Sequence, residues 1–505
     1  MSTDHNNNTK EPGFCPTGSE GLDNILGGEG LPRNRMYLIE GDPGSGKTTL
    51  SLQFLLAGLK RGETGLYVTL SETRRELEEV GRSHNWSLDD VHLLELSSIV
   101  AGDAFSGSTF FHPSEVELNQ TTRAILDQVE KLDPRLVIFD SLSELRLLSE
   151  TALRYRRQIL TFKQYFAKRN ATVLLLDDRT LESEASHVRS LAHGVIQLKK
   201  TSPEFGVTRR QVHVEKIRGL KFREGDHDFV IQTGGIMFFP RLIAAEHRKE
   251  LPKGYLQSGI AELDALLGGG LDWGTSNVVM GPAGCGKSTL SLHYAVNAAK
   301  AGIKSALFLF DEGMGPLMAR SSSIGLDIKP HVKSGAMQLI RVDPAEISPG
   351  EMVHRIRQQV EEEGVRLVVI DSLNGYYQAM PGEKYLQLQI HELFSYLNQL
   401  GVVTITVLAQ QGMLGPMQTP IDLSYVADTV VLIRFFEAAG EVRQAISILK
   451  KRSGRHERAI RELKIETNIG IRVGKPLHDF HGVLSGIPTF TGASRKMLIR
   501  SGTSK

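Results

Sequence analysis

Eight residues, Gly41-Asp42-Pro43-Gly44-Ser45-Gly46-Lys47-Thr48, match G-x-x-x-x-G-K-[ST]. The pattern returns 240 positions later as Gly281-Pro282-Ala283-Gly284-Cys285-Gly286-Lys287-Ser288. This doubled loop constrains the fold more than any other feature. Its glycines let successive N–H groups turn inward on phosphate oxygens, and the helix it opens adds a favourable dipole. It therefore needs an apolar strand before it and a helix after it, and both copies have that setting. Residues 36–39 are apolar, as are Val278, Val279 and Met280 after Asn277, and Leu50, Phe54, Leu55 and Leu59, or Leu290, Tyr294 and Ala298, follow at helical spacing. Lys47 and Lys287 offer a mobile charge to the β- and γ-phosphates. The Thr48 and Ser288 hydroxyls are placed to ligate Mg²⁺, and Thr49 and Thr289 complete the loops.

The repeat extends well beyond the loops. Residues 17–28 and 257–269 each read as a short amphipathic helix ended by glycines. Each loop helix stops at a glycine, Gly62 or Gly302, before a strand at 65–70 or 305–310. Acidic positions follow, Ser71-Glu72 and Asp311-Glu312, with each glutamate 25 residues beyond its loop lysine. Next come amphipathic helices over 121–132 and 352–364, then apolar strands ending in Asp140 and Asp371. Four apolar residues without polar alternation predict strands buried on both faces of a parallel sheet. The terminal aspartates suit the holding of Mg²⁺ through water. Helices over 155–169 and 385–400 lead to strands at 171–176 and 402–409. Antiparallel closing strands are expected at 194–199 with 211–217, and at 429–435 with 443–450. The fold class is α/β, with two tandem P-loop domains, each a mainly parallel twisted sheet flanked by helices. The expected divisions are a disordered lead at 1–12, domains at 13–245 and 246–490, and a flexible tail at 491–505.

Hydrolysis of a bound triphosphate needs a base to orient and deprotonate water. Glu72 is the expected base of the first site, and Glu312 with Asp311 that of the second. Lys216-Ile217-Arg218 and Lys450-Lys451-Arg452 end equivalent late strands. Each pair has three readings: a contact to phosphate at its own site, a contact to a neighbouring subunit's site, or a solvated basic turn. Arg455, His456, Arg458 and Arg461 extend the second cluster, which adds a nucleic-acid patch as a further reading. Asp177-Asp178 and Gln410-Gln411, at strand ends, are candidate γ-phosphate sensors.

Composition narrows the classes. A chain of 505 residues with 40% apolar and 23% charged residues fits a soluble protein of two or three domains. A net charge of +1 gives no global attraction to nucleic acid, and no run reaches the roughly 18 apolar residues of a membrane span. The two cysteines, Cys15 and Cys285, make no disulfide framework and fit a reduced, cytoplasmic setting.

The chain resembles the KaiC family, two-domain RecA-superfamily ATPases and autokinases, from about residue 13 to 490. The tandem loops carry the resemblance, with Ser71-Glu72-Thr73, Asp311-Glu312, residues 235–240, residues 427–432 and the stretch from Lys450 to Leu463. It implies RecA-like domains, ATP and Mg²⁺ as cofactors, and a homo-hexamer with ATP at protomer interfaces. Lys216, Arg218, Lys450 and Arg452 then become contacts made in trans. It also implies a serine/threonine autokinase in the second domain and a KaiB-like regulatory partner. The family's Ser-Thr phosphoacceptor pair falls on Ser424-Tyr425, leaving Ser424 as the expected acceptor. Ser71 and Asp311 depart from paired glutamates, and the tail after Gly486 is shorter than in cyanobacterial clock proteins, which argues against binding KaiA. The alternatives are a slow ATPase scaffold without autophosphorylation and a DNA-acting ATPase; fold alone does not choose among them.

Overall fold

The computed structural model describes residues 13–96, 113–178, 188–203, 206–247, 251–378, 385–410, 412, 425–438, 440–484 and 489–490. The expected lead at 1–12 and tail at 491–505, and the candidates Ser424 and Gln411, lie outside them. The chain divides into two units after Arg241. Leu242 and Ala244 already pack into the second unit's core, which accounts for that division.

In the first unit, α1 (Glu20–Ile25) precedes β1 (Met36–Gly41), the phosphate loop and α2 (Lys47–Lys60). Then follow β2 (Gly65–Thr69), α3 (Arg74–Ser83), β3 (His92–Glu95), α4 (Pro113–Leu132) and β4 (Leu136–Asp140). Next are α5 (Leu142–Ser149), α6 (Ala152–Lys168), β5 (Thr172–Asp178) and β6 (Gly194–Thr201). Strands β7 (Arg209–Ile217), β8 (Asp226–Gln232) and β9 (Gly235–Phe239) close the unit. One nine-stranded sheet results, in the order β9-β8-β7-β6-β1-β5-β4-β2-β3. The run from β6 to β3 is parallel, and β7, β8 and β9 extend it antiparallel.

Both faces of this sheet are covered, which is why its central strands are apolar throughout. Along β1, Tyr37 and Ile39 face α2 through Leu50 and Phe54. Met36 and Leu38 face the other side, where Ile125 and Val129 of α4 and Phe162 and Phe166 of α6 pack. Phe139 stacks on Phe162 with centroids 5.3 Å apart, so β4 is pinned to α6.

The second unit repeats the scheme. It comprises α7 (Ala261–Leu266), β10 (Ser276–Gly281), α8 (Lys287–Lys300), β11 (Ser305–Leu309) and α9 (Met314–Ser323). Then come α10 (Lys329–Lys333), β12 (Met337–Arg341), α11 (Pro349–Glu361), β13 (Leu367–Asp371) and α12 (Leu373–Gln378). It ends with α13 (Leu386–Gln399), β14 (Val403–Ala409), β15 (Thr429–Ala438), β16 (Glu441–Lys451), β17 (Arg461–Glu466) and β18 (Gly470–Pro476). Its sheet, β12-β11-β13-β14-β10-β15-β16-β17-β18, has the first unit's strand order.

Several elements differ from expectation at their edges. The helix expected from 121 begins at Pro113, a residue suited to a first turn because it lacks an N–H. The helix expected from 155 begins at Ala152, where the Thr151 side chain accepts a hydrogen bond from the Arg154 N–H. The helix expected over 352–364 spans Pro349–Glu361, capped by Ser348, and Gly364 lies beyond it at a φ of 74°. The outer strands β8, β9, β17 and β18, and the edge strands β3 and β12, are additions. No described helix is long and apolar enough to cross a membrane.

Candidate active site

Each phosphate loop joins the carboxyl end of a central strand to a helix, where open parallel sheets bind ligands. The backbone demands glycine at two matched positions: φ is 72° at Gly44 and 107° at Gly46, against 77° at Gly284 and 100° at Gly286. Gly46 and Gly286 cap their helices in the left-handed conformation. A Cβ at Gly41 would lie 2.5 Å from the Leu198 carbonyl oxygen, so the strand end admits no side chain there.

In the first site, Lys47 is buried and its Nζ donates to the Gly41 carbonyl at 2.7 Å and to Asp178 Oδ1 at 2.8 Å. In the second, Lys287 Nζ donates to the Pro282 carbonyl at 2.6 Å. The first lysine is thus held by a carboxylate that phosphate must displace, whereas the second sheet has Ala409 at that register, paired with Gly281 as Asp178 is with Gly41. Replacing Asp178 with Asn should lower the first site's Kd for Mg-ATP roughly twofold to fivefold, the pair joining a buried lysine to a half-exposed carboxylate. Titration of a Lys287→Ala protein with a fluorescent ATP analogue checks it; an unchanged Kd would remove Asp178 as a competitor.

Thr48 Oγ1 donates to Asp140 Oδ2 at 3.1 Å, and the Tyr67 hydroxyl donates to the same oxygen. Burial pushes the Asp140 carboxyl up, against the pull of those two hydrogen bonds and of Lys47. Asp371 is raised likewise by burial, with Ser288 hydrogen-bonded to it. A hydroxyl facing a carboxylate in a buried pocket is a hard-oxygen donor set, and it fits Mg²⁺ arriving with a triphosphate. Thr48 with Asp140, and Ser288 with Asp371, would hold the ion, which when bound neutralises charge on the β- and γ-phosphate oxygens.

Glu72 is fixed by the turn that carries it. Its N–H donates to Thr69 Oγ1 at 3.0 Å, and its carbonyl accepts from that hydroxyl at 2.7 Å. Thr73 and Glu76 form a capping box that starts α3 directly afterwards. The Glu72 carboxylate is half-buried, and its Oε2 has no hydrogen-bond partner. Burial, then Asp140, then Glu76 push its pKa up to about 7, against the pull of Lys47. A carboxylate so poised can accept a proton near neutral pH.

The second site differs. Arg320 forks Glu312, Nε to Oε1 at 3.0 Å and Nη2 to Oε2 at 2.7 Å, and its Nη1 donates to Thr289 Oγ1 at 2.9 Å. Asp311 accepts from the Ser372 hydroxyl at 2.5 Å.

The basic pairs lie at the other end of each sheet. Gly41 pairs with Leu198 at the loop end of β1, whereas Tyr37 pairs with Gly194 and Gly194 with Ile217. Four residues along a strand is about 13 Å. Ile217 is thus about 13 Å along the sheet from the loop end and Lys216 about 10 Å, a placement that speaks against an own-site phosphate contact by Lys216 and Arg218. Lys450 and Arg452 are placed likewise, since Val278 pairs with Val430 and Val430 with Lys450. Lys216 donates to the Arg189 carbonyl, and Arg218 to the Ser190 carbonyl at 2.9 Å. Lys163 donates to the Leu191 carbonyl at 2.8 Å, and Arg35 to the Arg218 carbonyl. Among the described residues no ion pair engages these four cations. Burial first, then mutual repulsion, lowers the pKa of Lys163 and of Lys216, and burial with the same charges holds the His193 imidazole down to about 4. In the second unit Lys450 donates to the Ala427 carbonyl at 2.7 Å, and Arg452 pairs with Asp428 at 3.4 Å. Arg461, from the basic stretch read as a possible nucleic-acid patch, is taken up by Glu457 at 2.7 Å.

Two triphosphate cradles, each at the carboxyl end of a mainly parallel sheet with an acidic residue beside it, define a tandem P-loop ATPase of RecA-like fold. The KaiC ATPase family model matches the chain twice, over residues 15–243 and 256–478. The chain belongs to that family. It is 25% identical over 484 residues to the circadian clock protein KaiC3 of Synechocystis, covering 95% of each chain. It is 26% identical over 492 residues to the circadian clock oscillator protein KaiC of Parathermosynechococcus lividus, covering 95% of this chain and 89% of the relative. With the KaiC of Synechococcus elongatus it shares 25% over 500 residues, 96% of this chain and 94% of the other.

Proposed function

We propose that this KaiC-type ATPase works as a ring, probed most directly by its site in the first unit, in which each triphosphate is bound by one subunit's loop and completed by the next subunit's cations. Lys47 and the loop N–H groups hold the phosphates, and Glu72 takes the proton of the attacking water. Water oxygen bonds to the γ-phosphorus as the bridging oxygen leaves with its electron pair on ADP. Lys216 and Arg218, reaching from the neighbour, hold the charge that develops on the transferring group.

One observation carries this reading. Lys163, Lys216, Arg218 and Arg35 converge on backbone carbonyls, with no carboxylate paired to them among the described residues, at the sheet end opposite the loop. Like charges gathered so, with Lys163 and Lys216 lowered in pKa by burial and their neighbours, fit an anion that arrives from outside the chain. A closed ring of heterologous contacts, a hexamer by family resemblance, supplies one triphosphate per interface. Native mass measured with and without Mg-ATP tests it: nucleotide should drive assembly, and a persistent monomer at saturating Mg-ATP would end the proposal.

The second unit is proposed to phosphorylate Ser424 on a neighbouring subunit. Incubation with γ-³²P-labelled Mg-ATP should label that peptide, and Ser424→Ala should abolish the label; label that persists would move the acceptor elsewhere. A second reading, a slow ATPase scaffold without autophosphorylation, is favoured by the engagement of Glu312 with Arg320. Nucleotide-dependent assembly with no phosphoprotein by mass spectrometry selects it.

A further inference from the structure

We propose that Arg320 is a positioning residue that clamps Glu312 away from water, so that the second site hydrolyses ATP more slowly than the first. This rests on the reading of Glu72 and Glu312 as equivalent bases.

The two units place the same carboxylate in opposite circumstances. Glu72 and Glu312 both follow their loop lysines by 25 residues, at the start of the segment leading to α3 or α9. Glu72 keeps an unpartnered oxygen, Oε2. Glu312 has both oxygens taken by one guanidinium, in a two-point fork that fixes its plane as well as its charge. A carboxylate bound in this way has both oxygens turned to a cation and neither left to receive a water's hydrogen. It is also aimed by its partner rather than by water. To act as a base, Glu312 must first break at least one charge-assisted hydrogen bond.

Arg320 is itself anchored. Its third nitrogen donates to Thr289 on α8, next to Ser288. The guanidinium thus bridges the loop helix and the acidic turn, and both its side chain and that of Glu312 are about 30% exposed, at 30% and 29%. Water therefore screens the pair only in part. The residue 240 positions earlier is Val80, packed against the first unit's core, and among the described residues no ion pair engages Glu72. The loops, strand order and glutamate spacing are repeated, whereas the clamp is present once.

The test uses the full chain with Lys47→Ala, so that only the second site turns over. Arg320→Val, which installs the first unit's residue, should raise kcat about tenfold or more, the lower range of what a freed general base contributes. KM should stay within about threefold, and so should the Kd of a non-hydrolysable ATP analogue, since the clamp does not bind substrate. Adding Glu312→Gln should erase the gain. The reciprocal change, Val80→Arg in a Lys287→Ala chain, should lower the first site's kcat by a similar factor.

An unchanged or lower kcat in Arg320→Val, with analogue binding retained, overturns the clamp; a rise in KM with it would assign Arg320 to the triphosphate instead. A gain that survives Glu312→Gln overturns the clamp, since Arg320 then does not act through Glu312; full first-site turnover in Glu72→Gln is instead failure of the underlying reading. If Arg320→Val does not fold, the Val80→Arg protein decides, and an unaltered first-site kcat in it rejects the clamp.

Discussion

Glu72→Gln should lower the first site's hydrolysis rate by at least tenfold, and by about 10²-fold if general-base catalysis carries its ordinary share. Glutamine keeps the size and the hydrogen-bonding turn made by Thr69 and the Glu72 backbone, so the loss reports the missing base. The measurement is steady-state turnover in a Lys287→Ala chain, which silences the second site. The pH dependence is the sharper signature. The Glu72 carboxyl is pushed up to about 7, and only its ionised form accepts a proton. Turnover should therefore be near its plateau above pH 8 and fall about tenfold per unit below pH 6, whereas the glutamine protein should lack that limb. Stability provides a control with a defined sign. A carboxyl whose folded pKa is raised above its unfolded value of 4.5 favours the fold only while protonated, a benefit lost as pH rises through 7. At pH 8 the substitution should leave the melting temperature unchanged or raise it. An unchanged turnover rate would show that another group activates water.

The central strands and the phosphate loops were legible because their causes are local. A strand covered on both faces must be apolar at every position, and residues 136–139 and 367–370 are. A loop that wraps phosphate must have glycine where φ is positive, and Gly44, Gly46, Gly284 and Gly286 are spaced accordingly. The outer strands were not legible, since strands β8 and β17 carry Asp226, His227 and Asp228, or Arg461, Glu462 and Lys464, among their apolar residues. One-sided strands at the growing edge of a sheet take their structure from their neighbours. Helix starts at Pro113 and Ala152 were missed because the apolar periodicity begins a turn or more later than the backbone does. At the site, Lys47 and Glu72 could be found by motif and offset. Asp178 stood out as a strand-end acid, but its pairing with Lys47, 131 positions away, did not, and Tyr67 and Lys163, which reach their partners from 73 and 28 positions away, left no signal. Arg320 did leave a trace: aligning the two copies sets it against Val80, a charge where the other half has a hydrocarbon.

Two inactive proteins should restore each other's activity when mixed. In one, Lys47→Ala empties the first loop and leaves Lys216 and Arg218 intact; in the other, both cations become alanine and Lys47 is kept. With Lys287→Ala in both, each alone should lose about 10³-fold or more in hydrolysis, the range of a cation acting on a transferring phosphoryl group. Residues at the far end of the sheet, about 10 to 13 Å along it from the loop end, are poorly placed to supply that cation within one subunit. In a ring of heterologous contacts assembled at random from equal amounts, about one interface in four joins an intact loop to intact cations. Mixing under conditions of subunit exchange should thus recover about a quarter of the activity of the Lys287→Ala parent. Recovery is the discriminating result because no intramolecular scheme produces it. Cations that served their own loop would leave every mixture inactive, since each chain carries a defect in its own site. Cations of no catalytic consequence would leave the double-alanine protein active from the start. Among the described residues no ion pair engages Lys163, Lys216, Arg218 and Arg35, so an anion brought by a second copy is the partner this mixing experiment looks for.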